Sequence, residues 1–157
     1  MWRVEASVDK RAEILDETRF MGDAPYDTVR ALAQYMDLLR IRDGVRLFKE
    51  GSAARYMSLI VEGKVRIQKQ TLDEDTRVLV VVGRGQVIGE MSVIDGQPRS
   101  AEGVAEGETT LLMLSQKRYN ELVDEKPRVA VQVLTQIARL LSHRLRSTSG
   151  QLVEHLD

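Results

Sequence analysis

Hydrophobic and polar residues alternate over short distances from residue 37 to residue 115, and this pattern predicts a sheet. Short runs rich in Val, Ile and Leu are separated by turn-forming residues. These turns fall at Asp43-Gly44, Glu50-Gly51, Glu62-Gly63, 73–75, 83–85 and Glu106-Gly107. We therefore predict about eight short antiparallel strands, closed into a sandwich or a rolled barrel.

Two of the predicted strands differ in how their faces are exposed. Residues 65–68 alternate cleanly between apolar and polar side chains, which predicts one buried face and one wet face. Residues 78–82 are apolar throughout, and this run predicts a strand that is covered on both faces.

Helical spacing replaces this alternation at both ends of the chain. Residues 8–36 read as two helices separated by a break at 22–25, and Asp27-Thr28 is the expected cap of the second helix. We interpret this segment as a packing subdomain in preference to a regulatory arm. After the sheet, Ser115 is expected to cap a short helix that runs through Val123 and ends before Pro127.

A long helix is predicted from Arg128 to Ser149, ending at Gly150. It carries two neighbouring apolar stripes, 133/137/140/141 and 134/138/141/145, and so wide an apolar arc needs two surfaces to bury it. One surface would be the barrel, and the other would be the same helix of a second subunit in a two-fold homodimer. The alternative is a monomer whose helix lies flat on the sheet.

Composition restricts the class of protein. The chain has 157 residues, 43% hydrophobic and 30% charged, which fits one globular domain. We expect a single domain over 1–157, made of a helical segment (1–36), a β-roll (37–115) and C-terminal helices (116–150). Its net charge of −1 provides no global attraction to nucleic acid or to an anionic membrane. The chain contains no cysteine, no run of about 18 apolar residues and no signal-peptide core, so we expect a cytoplasmic protein without a membrane segment.

The chemistry-bearing stretch runs from Ile88 to Ala101. Gly89 allows a ligand to approach the backbone, and 90–94 can form one helical turn whose free N–H groups attract an anion. Arg99 matches two phosphate oxygens, and Ser100 offers a hydroxyl donor to the same group. Glu90 only accepts hydrogen bonds, so it suits a sugar hydroxyl. One ligand with a phosphate and a free ribose hydroxyl would satisfy the whole set, whereas the alternative is a glycine-rich loop with an exposed Glu90–Arg99 salt bridge.

The strings Gly89-Glu90-Met91-Ser92-Val93 and Pro98-Arg99-Ser100-Ala101 resemble the phosphate-binding cassette of the cyclic nucleotide-binding domains. These domains occur in the catabolite activator protein, in kinase regulatory subunits and in gated channels. The resemblance extends over most of residues 20–148. It implies that Glu90 holds the ribose 2′-hydroxyl, and that Arg99, Ser100 and the N–H groups of Met91 and Ser92 hold the cyclic phosphate. It also implies that Ile67 and Leu79 line the wall beside the base, although plain core packing explains these two equally well.

The resulting fold prediction is α+β, mainly β: an eight-stranded antiparallel β-roll flanked by N-terminal helices and a long C-terminal helix. The expected ligand is cyclic AMP, because Ser100 after Arg99 resembles the cyclic-AMP-responsive bacterial members; cyclic GMP stays open. We hypothesise that the ligand pins the cassette and repositions the long helix, with Arg144 or its neighbours reaching the base. Two alternatives stay open: an interaction module that answers to a protein or to cyclic di-GMP, and a regulatory subunit whose output lies on another chain.

Several other functions are not expected. Ser92 lies outside any Gly-x-Ser-x-Gly context and has no neighbouring histidine, so we predict binding without turnover. His143 and His155 lie twelve residues apart without partner ligands, which argues against a metal or haem site. The family's transcription factors continue into a helix-turn-helix domain and this sequence stops at Asp157, so we expect no direct DNA binding and leave the downstream partner unassigned.

Overall fold

Helices occupy both ends of the chain and strands occupy the middle, as the change in periodicity predicts. The computed structural model describes the backbone of residues 1–156 and the side chains of residues 1–91 and 93–150. The helices are α1 (Val8–Glu17), α2 (Tyr26–Ala33), α3 (Met91–Ile94), α4 (Gln116–Glu125) and α5 (Pro127–Leu156). The strands are β1 (Trp2–Arg3), β2 (Asp37–Ile41), β3 (Arg46–Phe48), β4 (Tyr56–Gln70), β5 (Thr76–Val82), β6 (Val87–Ile88) and β7 (Glu102–Ser115). The predicted class, α+β and mainly β, is confirmed.

The β-roll is built around two long neighbouring strands. β4 and β7 pair antiparallel from Tyr56 opposite Ser115 to Gln68 opposite Glu102. The strands follow the order β1-β2-β7-β4-β5, with β3 also paired to β7 and β6 also paired to β4. Every described pair is antiparallel. β6 and β7, the strands at the two ends of the predicted cassette, therefore both pair with β4.

The described chain has seven strands, because two predicted turns lie inside strands. Glu62-Gly63 is part of β4 and Glu106-Gly107 is part of β7, with register shifts on either side of Glu62. Gly63 has φ of 91°, and a Cβ there would come within 2.6 Å of Thr109 Oγ1. Since only glycine fits that backbone, Gly63 makes a bulge that bends the strand without reversing it.

The edge strand β5 corrects a second expectation. Val78 to Val81 were predicted to be covered on both faces, yet each is between 42% and 53% exposed. An apolar run does not indicate whether a strand lies at the centre or at the edge of a sheet. β5 is the last described strand in the sheet order and is hydrogen-bonded on one side only, to β4. β5 therefore presents an apolar surface to solvent.

The hydrophobic core has two parts that fix the helices and the roll separately. One cluster packs the helices against the sheet, and the other fills the roll. The first includes Leu15, Leu32, Leu112, Leu122 and Ile137, all fully buried. The second includes Ile41, Ile60, Val65, Ile88 and Leu111, with Ile67 partly buried against it. Since Ile88 opens the predicted cassette, the cassette is anchored directly to the second cluster.

The helix ends confirm some predicted signals and correct others. Ser115 caps α4 as predicted, accepting a hydrogen bond from the N–H of Arg118 at 3.1 Å. Pro25 precedes α2 and no side chain caps that helix, so the predicted cap at Asp27-Thr28 is wrong.

The long helix also differs from its predicted bounds. α5 begins at Pro127, whose missing N–H costs nothing in a first turn, and continues through Gly150, which was expected to end it. Among the described helices, none is both long and apolar enough to cross a bilayer.

Candidate functional site

A pocket of about 600 Å³ lies where the roll, the cassette and α5 meet. Nine of the eleven residues predicted to bind ligand line this pocket: Ile67, Ile88, Gly89, Glu90, Met91, Arg99, Ser100, Ala101 and Arg144. Residues that come from four separate parts of the chain are thus brought to one cavity.

Among the described side chains, one predicted residue is not part of this lining. Leu79 is 53% exposed and lies at the register shift between β4 and β5, where Ile67 pairs with Val80 and Gln68 pairs with Val78. Val80 and Val82 line the pocket, and Leu79 is not among its lining residues. The backbone of Ser92 is within α3, and its side chain lies outside the described residues.

The cassette forms the short helical turn that its sequence predicts. α3 is closed by hydrogen bonds from the N–H of Val93 to the carbonyl of Glu90 (3.2 Å) and from the N–H of Asp95 to the carbonyl of Met91 (2.8 Å). Val93 is buried and anchors the turn, whereas Met91 and Ile94 are more than half exposed. The N-terminal end of the turn therefore faces the pocket on a fixed support.

Gly89 allows the cassette to approach Arg99 closely. Its φ is 75°, and a Cβ at this position would lie 2.1 Å from Arg99 Nη1 and 2.9 Å from the carbonyl oxygen of Tyr56. Any side chain here would clash with the guanidinium as well as strain the backbone. The predicted role of this glycine, close approach of the backbone, thus has a specific neighbour.

Arg99 is a buried cation that forms no salt bridge with an acid in the described part of the chain. The residue is 8% exposed, and its Nη2 donates to the carbonyl oxygen of Tyr56 at 2.6 Å. Its Nε is buried without a hydrogen-bond partner. Burial lowers the pKa of the Arg99 guanidinium, and the opposing effects of Tyr56 and Glu90 are smaller. Since an arginine stays charged, the site holds a desolvated positive charge that an anion would stabilise.

Aromatic rings surround this guanidinium. The Cζ of Arg99 lies 4.4 Å from the centre of the Phe48 ring and 5.1 Å from the centre of the Tyr56 ring. Neither residue was predicted from the sequence, since Phe48 is in β3 and Tyr56 begins β4, far from the cassette along the chain. No local motif marks them; only the pairing of β3 and β4 with β7 brings them to Arg99.

Glu90 is paired with the long helix rather than with Arg99. Glu90 is 4% exposed, and Arg144 Nη1 donates to its Oε1. Arg144 Nη2 also donates to the carbonyl oxygen of Val87 at 3.1 Å. The alternative of an exposed Glu90–Arg99 salt bridge is therefore wrong, and α5 is joined directly to the residue expected to bind the sugar.

The described residues contain no group of three His, Asp or Glu side chains placed to hold a metal ion. His143 is exposed on α5, and the side chain of His155 lies outside the described residues. Among the ionisable side chains that line the pocket, Glu90 is paired with Arg144, and Arg99 forms no salt bridge in the described part of the chain.

Comparison with known proteins agrees with this geometry. The sequence model of the family described as the cyclic nucleotide-binding domain matches residues 38–126. A cyclic AMP receptor protein from Thermus thermophilus is 35% identical over 133 residues, which are 85% of this chain and 59% of that protein.

Solved structures agree as well. A cyclic nucleotide-binding domain from Methylobacillus flagellatus superposes with a TM-score of 0.78 at 32% identity, covering 93% of this chain and 82% of the other. The catabolite activator protein of Thermus thermophilus gives a TM-score of 0.71 at 33% identity, covering 86% of this chain and 61% of the other.

The matched segment covers most of this chain but only part of the curated relatives. The chain spans 59% and 58% of the length of the first two curated relatives that it matches. The family match covers more than half of the chain and includes the whole cassette at 88–101. On the cassette, the β-roll and these matches together, the chain belongs to the cyclic nucleotide-binding domain family.

Proposed function

We propose that this domain binds cyclic AMP as a sensor and relays the bound state through α5, without catalysing a reaction and without a metal. The observation that carries the proposal is Arg99, a buried guanidinium that forms no salt bridge among the described side chains and lines the same pocket as Glu90. A ligand with one phosphate and one free ribose hydroxyl supplies what each of these two groups needs.

The phosphate end of the ligand would lie against Arg99. A desolvated guanidinium gains most from a bidentate anion, and charge-assisted hydrogen bonds contribute about 1.5–3 kcal/mol each. Ser100, which is exposed at the pocket, and the N–H groups of Met91 and Ser92 at the start of α3 would add further donors. A few such contacts support micromolar binding, about −8 kcal/mol.

The base would lie against the apolar part of the lining, formed by Ile67, Val80 and Val82. Such a wall favours a flat ring by burial and does not select between purines. Cyclic AMP is the proposed ligand because of Ser100 and because one relative is named a cyclic AMP receptor protein. Cyclic GMP is the first competitor to test, and cyclic di-GMP is the second.

The relay would start at Glu90. The ribose hydroxyl would donate to the carboxylate that Arg144 now occupies, so binding would change the bond between the cassette and α5. The ligand shifts the position of α5 only by the difference in its affinity for the two positions. This coupling needs no movement of the roll itself.

We also propose that α5 forms a two-fold homodimer in the cytoplasm. Val131, Leu134 and Leu145 are 60%, 41% and 67% exposed, and together with Ala138 and the half-buried Leu141 they follow a heptad spacing along one stripe. Such a stripe is typical of a two-helix seam. The downstream partner stays unassigned, and the proposal concerns only the sensing domain.

The test is a calorimetric titration of cyclic AMP, cyclic GMP and cyclic di-GMP into the protein and into Arg99→Ala. We expect one cyclic mononucleotide to bind, and Arg99→Ala to weaken it at least about tenfold, which corresponds to about 1.4 kcal/mol. Arg84→Ala is the control, because Arg84 is exposed and outside the pocket lining. Loss of binding in both variants, or no binding by the unmodified protein, would contradict the proposal.

A second candidate, a protein-interaction module, is favoured by the exposed strand β5. Four consecutive apolar residues, Val78 to Val81, are each at least 42% exposed. If the domain is an interaction module, Val81→Lys would abolish binding of the partner protein. In that case no nucleotide would bind to the unmodified protein in the titration. Under the proposed function, Val81→Lys keeps nucleotide binding, so the two candidates give opposite results.

A further inference from the structure

Tyr56 contacts Arg99 in two ways and is itself fixed by a third contact. Its carbonyl oxygen accepts a hydrogen bond from Arg99 Nη2 at 2.6 Å, and its ring centre lies 5.1 Å from the guanidinium carbon. Its hydroxyl donates to the carbonyl oxygen of Leu47 at 2.8 Å, which fixes the ring to the neighbouring β3. Burial raises the pKa of the Tyr56 hydroxyl, so this group stays a donor at neutral pH.

Phe48, the other ring beside Arg99, is held by a glycine on the opposite strand. Phe48 pairs with Gly103 of β7, and a Cβ at residue 103 would lie 2.7 Å from the Phe48 ring. Only glycine therefore leaves room for the ring to lie on β7. We call Phe48 and Tyr56 the aromatic cradle of Arg99.

We propose that the aromatic cradle positions Arg99 for the ligand's phosphate, with Tyr56 as the principal positioning residue. This inference rests on the proposed function, because it concerns how the phosphate-binding arginine is held. Ring faces attract a cation without accepting its N–H groups. The bond to Tyr56 uses one of the five guanidinium donors, so the cradle restrains Arg99 and leaves donors for an anion.

A carboxylate in the same place would act differently. It would restrain Arg99 equally well, but it would also neutralise the charge and compete with the phosphate for the same planar donors. The cradle thus stabilises the desolvated cation and preserves its charge. Restraint before binding also reduces the side-chain entropy that the ligand has to overcome.

The experiment compares cyclic AMP affinity in Tyr56→Leu, Tyr56→Phe and the unmodified protein. Tyr56→Leu removes the ring face, and we expect about five- to thirty-fold weaker binding, the range of a desolvated cation–ring contact. Tyr56→Phe keeps the ring and removes the hydroxyl that donates to Leu47, so its loss of affinity should be smaller. Tyr26→Leu is the matched control, since Tyr26 is 47% exposed on α2, outside the pocket lining.

A double-mutant cycle separates positioning from general structural support. If Tyr56 acts through Arg99, then Tyr56→Leu should weaken binding no further once Arg99 is already alanine. Additive losses would mean that Tyr56 supports the pocket by another route, and this would overturn the inference. Phe48→Leu takes the place of Tyr56→Leu in the cycle if thermal unfolding shows that the latter does not fold.

The outcomes also separate this inference from the proposed function. Binding by the unmodified protein with equal or tighter binding by Tyr56→Leu would refute the cradle and leave the sensor intact. Tighter binding would mean that the cradle holds Arg99 away from the ligand. Failure of the unmodified protein to bind any cyclic nucleotide would refute both.

Discussion

Replacing Arg144 with alanine should release the C-terminal half of α5 from the roll. The apolar residues that bury this helix, Ala130, Val133 and Ile137, lie in its first half. Further along, Arg144 donates to the carboxylate of Glu90 and to the carbonyl oxygen of Val87. In the described part of the chain, these two bonds are the polar contacts that tie the second half of α5 to the cassette and to β6.

The size of the effect follows from the exposure of the two partners. A hydrogen bond between charged groups contributes about 1.5–3 kcal/mol when it is shielded from water. The Glu90 side chain is 6% exposed and that of Arg144 is 42% exposed, so we discount this range for solvent screening. A loss of about 1–2 kcal/mol remains, which multiplies the opening constant of the helix end by about five to thirty.

Amide hydrogen exchange of a peptide that covers residues 141–150 measures this opening directly. Arg146→Ala is the matched control, because Arg146 is an exposed arginine on the same helix. We expect faster exchange in Arg144→Ala than in Arg146→Ala. If the two variants exchange at the same rate, the bond to Glu90 does not hold α5 and the relay loses its starting point.

The ligand provides a second arm of the same experiment. Cyclic AMP should change exchange of residues 141–150 in the unmodified protein, because its ribose hydroxyl would reach Glu90. In Arg144→Ala the ligand should still bind through Arg99 but leave exchange of this peptide unchanged. A ligand-dependent change that persists in Arg144→Ala would show that the signal passes to α5 by another contact.

Three further predictions concern the cassette, a buried tyrosine and the proposed dimer. Gly89→Ala should weaken cyclic AMP binding at least about tenfold, because there is no space for the added Cβ. Gly150→Ala is the control: there is open space around residue 150, so this substitution should stabilise α5 by up to about 1 kcal/mol and leave the affinity unchanged. Tyr35 donates a hydrogen bond to Glu125, and this bond, with burial as the next cause, raises the pKa of the Tyr35 hydroxyl. The stability that Tyr35 contributes is therefore present below the usual pKa of about 10 and is lost as pH rises through the raised pKa. Tyr35→Phe should therefore flatten the fall in urea-unfolding free energy between about pH 9 and 12. Leu145→Lys should reduce the mass measured by sedimentation equilibrium from dimer to monomer without unfolding the monomer, since Leu145 is 67% exposed; an unchanged mass would contradict the dimer.

The cassette could be predicted from sequence because its geometry is local. Gly89, the turn that follows and Arg99 lie within eleven residues, and the turn is closed by bonds between neighbours such as Val93 and Glu90. The number of strands was harder to predict from the sequence. Gly63 looks like a turn residue in sequence, and only its close approach to Thr109 of β7, beside the register shifts, distinguishes a bulge from a reversal.

The partners of the charged residues could not be predicted for the same reason. Arg99 is held by Tyr56, 43 residues away, and Glu90 is held by Arg144, 54 residues away. From sequence, opposite charges nine residues apart suggest an ion pair with each other. Neither the cradle nor the contact with α5 leaves a local signal, because both depend on which strands and helices become neighbours.

This separation of Glu90 from Arg99 has a chemical consequence for the pocket. If the two formed an ion pair, each would satisfy the other and the cavity would have little preference for a charged ligand. In the structure α5 supplies the cation for Glu90, while rings and a carbonyl oxygen hold Arg99. The pocket therefore keeps a buried guanidinium that has no salt bridge among the described residues, and a carboxylate that can accept a hydrogen bond from a hydroxyl. A cyclic nucleotide matches this arrangement at both ends, and the helix that neutralises Glu90 is the element that its ribose would disturb.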